Sequence, residues 1–130
     1  MARPAADAGA AAQVEAASAR PRSRVTYIGM HVGGGPNDAA TKAPFERAIA
    51  RSFDDLARCH EAAHARAGTF GVDLLIGKDG GHATVSNPRT AIGDEAFRKC
   101  ALGVFENVVF ERPRRGPTTI SYSVRFDNGD

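Results

Sequence analysis

The sequence predicts an α+β domain, a small antiparallel sheet with two helices on one face, in the order β-α-β-β-α-β. Three observations carry this expectation. Phe70, Val72, Leu74 and Ile76 alternate with Gly71, Asp73, Leu75 and Gly77, the period of a strand with one buried face. Ile120, Tyr122, Val124 and Phe126 alternate in the same way with Thr119, Ser121, Ser123 and Arg125. Two further stretches carry apolar residues at helical spacing. With 130 residues, the chain is long enough for one core and short for two.

In chain order, residues 1–24 are Ala-rich with Gly, Pro, Ser and Arg, and read as a flexible lead or tether. A helix through Ala10 to Ala19 would have only Val14 to dock. The domain then spans 25–127, with a tail at 128–130. Val25 to Val32 is β-branched and aromatic enough for a first strand. It runs into Gly33-Gly34-Gly35-Pro36-Asn37-Asp38, and a first helix is expected from Pro44 to Ala67, stopped by Gly68. Phe45, Ile49, Phe53, Leu56 and Ala63 form its stripe, with Cys59 and His60 on the two margins.

The strand at Phe70 leads to Asp79-Gly80, a pair suited to a two-residue turn with positive φ at both positions. That turn sets Ile76 opposite Ala83 and Leu74 opposite Val85, placing both apolar sets on one face. Asn87-Pro88-Arg89 reads as a turn. A second helix follows from Asp94 to Asn107, with Phe97, Cys100, Ala101 and Val104 on its buried side. After a Pro-interrupted loop, Glu111 to Pro117, the strand Thr118 to Phe126 closes a four-strand meander.

The formal net charge of +2 lies wholly in residues 1–24, where Arg3, Arg20, Arg22 and Arg24 face Asp7 and Glu15. The rest is neutral, so no nucleic-acid partner is expected. Neither a membrane-spanning run nor the apolar core of a secretory signal is visible. Read as a true start, residues 1–24 place the protein in the cytoplasm. Read as a linker after a missing upstream segment, they tether an exported domain to the membrane.

Chemistry-bearing residues are few. The loop Gly33–Asp38 sits between strand and helix, as a phosphate loop would. It lacks the Gly-Lys-Ser/Thr ending, and Asp38 stands where a dinucleotide fingerprint has its third glycine. An unusual-φ/ψ connection is the plainer reading. Cys59, His60 and His64 offer a partial metal set, but Cys59 points away from His64 and the other histidines, His31 and His82, are remote. No metal or other cofactor is expected, and no serine or cysteine motif supports nucleophilic catalysis. Cys59 and Cys100 face one interface, which favours a disulfide over two packed thiols. A bridge closing that loop contributes roughly 4 kcal/mol in the chain-entropy model. Arg112, Arg114 and Arg115 form the most distinctive exposed charge cluster, suited to an acidic partner or anionic lipid.

Taken together, these residues resemble the TonB carboxy-terminal domain superfamily, and within it the AgmX/PglI C-terminal domain branch of myxobacterial envelope proteins. The resemblance covers Phe45 to Phe126. It rests on Cys59, a hairpin with Gly71, Val72, Ile76 and Gly80, then Phe97 and Cys100, Phe110, Pro113 and Gly116, and the closing strand. The sequence departs where His60 replaces an aromatic residue and where Glu111-Arg112 separates Phe110 from Pro113. The resemblance implies a periplasmic, non-enzymatic module that recruits or couples envelope proteins in energy transduction, transport or motility. A partner strand is expected at a sheet edge, with Ser121, Ser123 and Arg125 of the last strand as that edge and the Arg112–Gly116 loop beside it. The alternative is a small-ligand or metal sensor built on the Gly33–Asp38 loop and the histidines.

Overall fold

The computed structural model describes residues 21–129. Most of the expected lead, including the Ala10–Ala19 helix, and the last tail residue, Asp130, lie outside that range. The elements are β1 (Arg24–Val32), α1 (Ala39–Ala50), α2 (Phe53–Ala62), β2 (Gly68–Ile76) and β3 (Gly81–His82). They continue with β4 (Thr84–Thr90), α3 (Glu95–Asn107), β5 (Val109–Phe110) and β6 (Thr118–Asp127). An α+β fold is thus observed, with three helices where two were expected.

The main sheet has the order β1-β6-β2-β4 and is antiparallel throughout. This is not a meander, because the last strand lies between β1 and β2. Phe70, Val72, Leu74 and Ile76 of β2 and Ile120, Tyr122, Val124 and Phe126 of β6 are all buried on the helix-bearing face. Onto them pack α2 and α3, which also pack against each other. Rings dominate this core. Phe97 meets Phe126 edge-on at 4.9 Å and Phe70 edge-on at 5.7 Å, and Phe105 stacks on Phe70 at 6.1 Å.

The first helix breaks in two. Asp38 caps α1, its carboxylate accepting from the Thr41 amide at 2.9 Å, so the helix starts at Ala39 and Pro44 falls inside it. At Arg51 and Ser52 the chain turns. Phe45 then reaches Phe110 of β5 (6.3 Å between rings), while Leu56 and Cys59 stay over the sheet core. α2 ends at Ala62, not Ala67. His64 adopts a left-handed φ of 52°, and the Ala65 amide donates back to the His60 carbonyl at 3.2 Å, closing the helix before Gly68. Gly68 instead opens β2.

The hairpin keeps its expected register at Leu74↔Val85, but its turn differs. Positive φ falls on Gly80 and Gly81, and Asp79 is spared. The cause is β5. Gly81 and His82 leave β2 to pair with Phe110 and Val109, and a Cβ at Gly80 would come within 2.6 Å of the Phe110 carbonyl oxygen. Asn87-Pro88 is likewise no terminal turn. It is an irregularity inside β4, with Asn87 at φ 51°.

Cys59 and Cys100 form a disulfide with Cα atoms 5.6 Å apart, joining α2 to α3. Only Cys59 is buried. Cys100 is exposed, because the buried stripe of α3 is Phe97, Ala101 and Phe105, one residue further round the helix. His60, which the sequence places on the margin of the helix stripe, is fully buried. It stacks on Phe126, and its Nε2 donates to the Arg66 carbonyl at 2.9 Å while Nδ1 accepts from the Ser23 hydroxyl at 2.8 Å. The Arg22 amide donates to Glu61 at 3.1 Å. The described end of the lead is therefore fastened to α2. Reducing the disulfide should lower unfolding free energy by about 4 kcal/mol, from the chain closed between the cysteines. Urea titration with and without reductant measures it, with Cys59→Ala/Cys100→Ala insensitive to reductant.

Candidate functional site

β1 and β6 run antiparallel, with Val32 opposite Ile120, so the chain leaves β1 at the end where it arrives at β6. Two loops meet there. Gly33–Asp38 forms one wall and Glu111–Pro117 the other, with Phe45 and Arg47 of α1 contributing to a cleft of about 650 Å³. The Gly35–Pro36 peptide is cis. Val32, Phe45 and Pro113 are buried where they line it, giving an apolar floor.

Charge gathers at the rim. Arg47, Arg112, Arg114 and Arg115 line the cleft against two carboxylates, Asp38 and Glu111. Both acids are engaged. Asp38 is held below the ordinary carboxylate range, chiefly by its hydrogen bond from Thr41 and also by the field of Arg115. Glu111 lies 3.8 Å from Arg47. Among the described residues, the side chains of Arg112 and Arg114 have no hydrogen-bond or ion-pair partner. The two loops singled out by sequence for separate reasons thus form one site. Arg47 was missed, because its proximity to Glu111 depends on where β6 inserts.

The sheet-edge residues do not form an edge. Ser121, Ser123 and Arg125 lie on β6, which is hydrogen-bonded on both sides. The Ser121 hydroxyl donates to Asp73 at 3.0 Å, and Arg125 pairs with Asp127 at 3.0 Å. One-face alternation reports which side is buried, and is blind to a strand's lateral neighbours. Among the described residues, the edges are β1 and β4. β4 carries, beside the Asn87 irregularity, Pro88, which has no backbone donor to offer a further strand. β1 is longer. Its far end is occupied by the Asn37 carboxamide, which accepts from the Val32 amide at 2.7 Å and donates to the Val32 carbonyl at 3.1 Å. Alternation then turns the backbone groups of Met30 outward too. Ile28, at the register shift beside it, is 52% exposed.

Compared with protein-family models, curated proteins and solved structures, the chain gives no match.

The histidines are dispersed. His31 is exposed on the uncovered sheet face, His60 is buried, His64 ends α2, and His82 bonds to the Glu106 carbonyl at 3.0 Å. Among the described residues, no group of three or more His, Cys, Asp or Glu is placed to hold a metal. With Cys59 in the disulfide, the Cys59-His60-His64 set does not come together.

On the uncovered face, Asp73 joins three strands. Its carboxylate accepts from Asn87 at 2.9 Å and Arg89 at 3.1 Å on β4, and from Ser121 on β6. The Asn87 hydrogen bond is the main cause of its lowered pKa, helped by Arg89 and Ser121 against partial burial. A carboxyl with a depressed folded pKa contributes stability above its unfolded value and loses it as pH falls through the folded one. Wild type should therefore exceed Asp73→Asn in stability at neutral pH, with the gap closing below about pH 4. Urea unfolding across pH measures this; a gap that widens in acid would contradict it.

Proposed function

We propose that this domain is a non-enzymatic protein-interaction module of a cell-envelope system, working in the periplasm, as the TonB-like resemblance implies. Its partner adds an extended segment to the outer edge of β1. The observation that carries this reading is that edge, a nine-residue strand bonded to β6 on one side and bearing the exposed Ile28. The Cys59–Cys100 bridge supports an oxidising compartment, where such bonds persist. Among the described residues, no helix is long and apolar enough to cross a membrane, so attachment would fall to another segment of the chain.

A photo-crosslinking residue at Ile28, in the organism's own cells, should yield an adduct with an envelope protein. The same group at Thr84, on the proline-bearing edge, should yield none. Equal adducts from both edges, or adducts only with cytoplasmic proteins, would overturn the reading.

A further inference from the structure

We infer that the arginine-lined cleft receives the carboxylate groups of an acidic, extended peptide segment. This rests on the protein-interaction reading and specifies the chemistry of the partner. Four guanidinium groups surround the cleft, and the two carboxylates among them are already engaged, Asp38 by the Thr41 amide and Glu111 by Arg47. That leaves Arg112 and Arg114 with donors to offer, and a guanidinium fork matches the two oxygens of a carboxylate. Residues 25–130 are neutral as a whole, while the cleft sets four arginines against two carboxylates, so positive charge is concentrated locally here.

A peptide fits the site better than a compact dianion. The floor of Val32, Phe45 and Pro113 suits methylene and backbone groups. Position adds a second argument. The residues that follow Val32 are themselves cleft walls, and Asn37 closes the β1 ladder at Val32. A segment paired along β1 must stop there as a strand, and its next residues are delivered to the arginines.

The test is fluorescence anisotropy with a labelled synthetic oligoglutamate peptide and the full chain. Wild type should bind, with affinity falling as salt rises. R112Q/R114Q should bind roughly tenfold more weakly or worse, the scale of losing charged hydrogen bonds. Glu111→Gln should bind more tightly, since it removes a competing carboxylate and releases Arg47. Circular dichroism should show all variants folded, as neither Arg112 nor Arg114 holds any described residue in place. Equal binding by R112Q/R114Q would overturn the inference. So would displacement of the peptide by inorganic phosphate but not by chloride at equal ionic strength. Arginine-dependent binding to phosphatidylglycerol vesicles without peptide binding would overturn it as well. A backbone N-methylated oligoglutamate separates the two readings. If it binds as well as the parent and still requires Arg112 and Arg114, the cleft assignment stands and strand addition at β1 fails.

Discussion

The structure depends on where β6 goes. The last strand of the chain inserts between the first and the second, so β1 belongs to the sheet only through β6. Its one-sided apolar row buries Ile120, Tyr122, Val124 and Phe126 against the helices, and its other side chains face the uncovered surface with Asp73. The same insertion makes the cleft. Because β6 arrives at the end where β1 departs, the Gly33–Asp38 and Glu111–Pro117 loops must meet, although more than seventy residues separate them in the chain. Neither loop is a site alone.

Around this sheet the core is held by contacts that each join distant parts of the chain. His60 lies in the aromatic cluster, stacked on Phe126 and edge-on to Phe97 at 5.5 Å, yet each ring nitrogen has a partner. A buried imidazole with both nitrogens satisfied avoids the cost of an orphaned polar group. Its bond to Ser23 also fixes the approach to β1, so the edge strand begins from an anchored position. The disulfide lies at the outer margin of the same helix pair, where Cys100 is exposed, and supplements that packing from the surface. On the far side, Tyr27 stacks on Tyr122 at 5.5 Å. Burial, then the neighbouring Glu46 carboxylate, pushes its hydroxyl to about 12, which marks the place where α1 approaches β1.

What could be read from the sequence was what depends on local period. The alternation in β2 and β6, the Leu74↔Val85 register, the extent of α3 and the α+β class all follow from side chains a few residues apart. The partnership of Cys59 and Cys100 followed from their placement on two helix stripes, even though Cys100 proved exposed. What failed depended on lateral or distant neighbours. Alternation on β6 is the same for an edge or a central strand, so Ser121, Ser123 and Arg125 were assigned to an edge that is in fact paired. The Asp79-Gly80 turn was shifted by β5, a two-residue strand with no periodic signature of its own. His60 on a helix margin looked half-exposed because Ser23 and the Arg66 carbonyl, which make its burial possible, lie outside the helix. The two halves of the cleft were each visible as a Gly-rich loop and an Arg-rich loop; their meeting required the strand order.

The distribution of obstacles around the sheet narrows where recognition can occur. β4 is interrupted by Asn87 and Pro88, and the β1 ladder is terminated by Asn37. Asp73 and its partners satisfy one another on the uncovered face. The helix face is filled by its own rings. Two adjoining places offer groups that the described residues leave unmet, the outer side of β1 at Met30 and the guanidinium groups of Arg112 and Arg114. The first offers backbone groups, which bind any extended chain and supply little selectivity. The second offers charge, which sets orientation and rejects basic segments more than it adds affinity. Each lacks what the other supplies, and the order β1-β6-β2-β4 places them end to end.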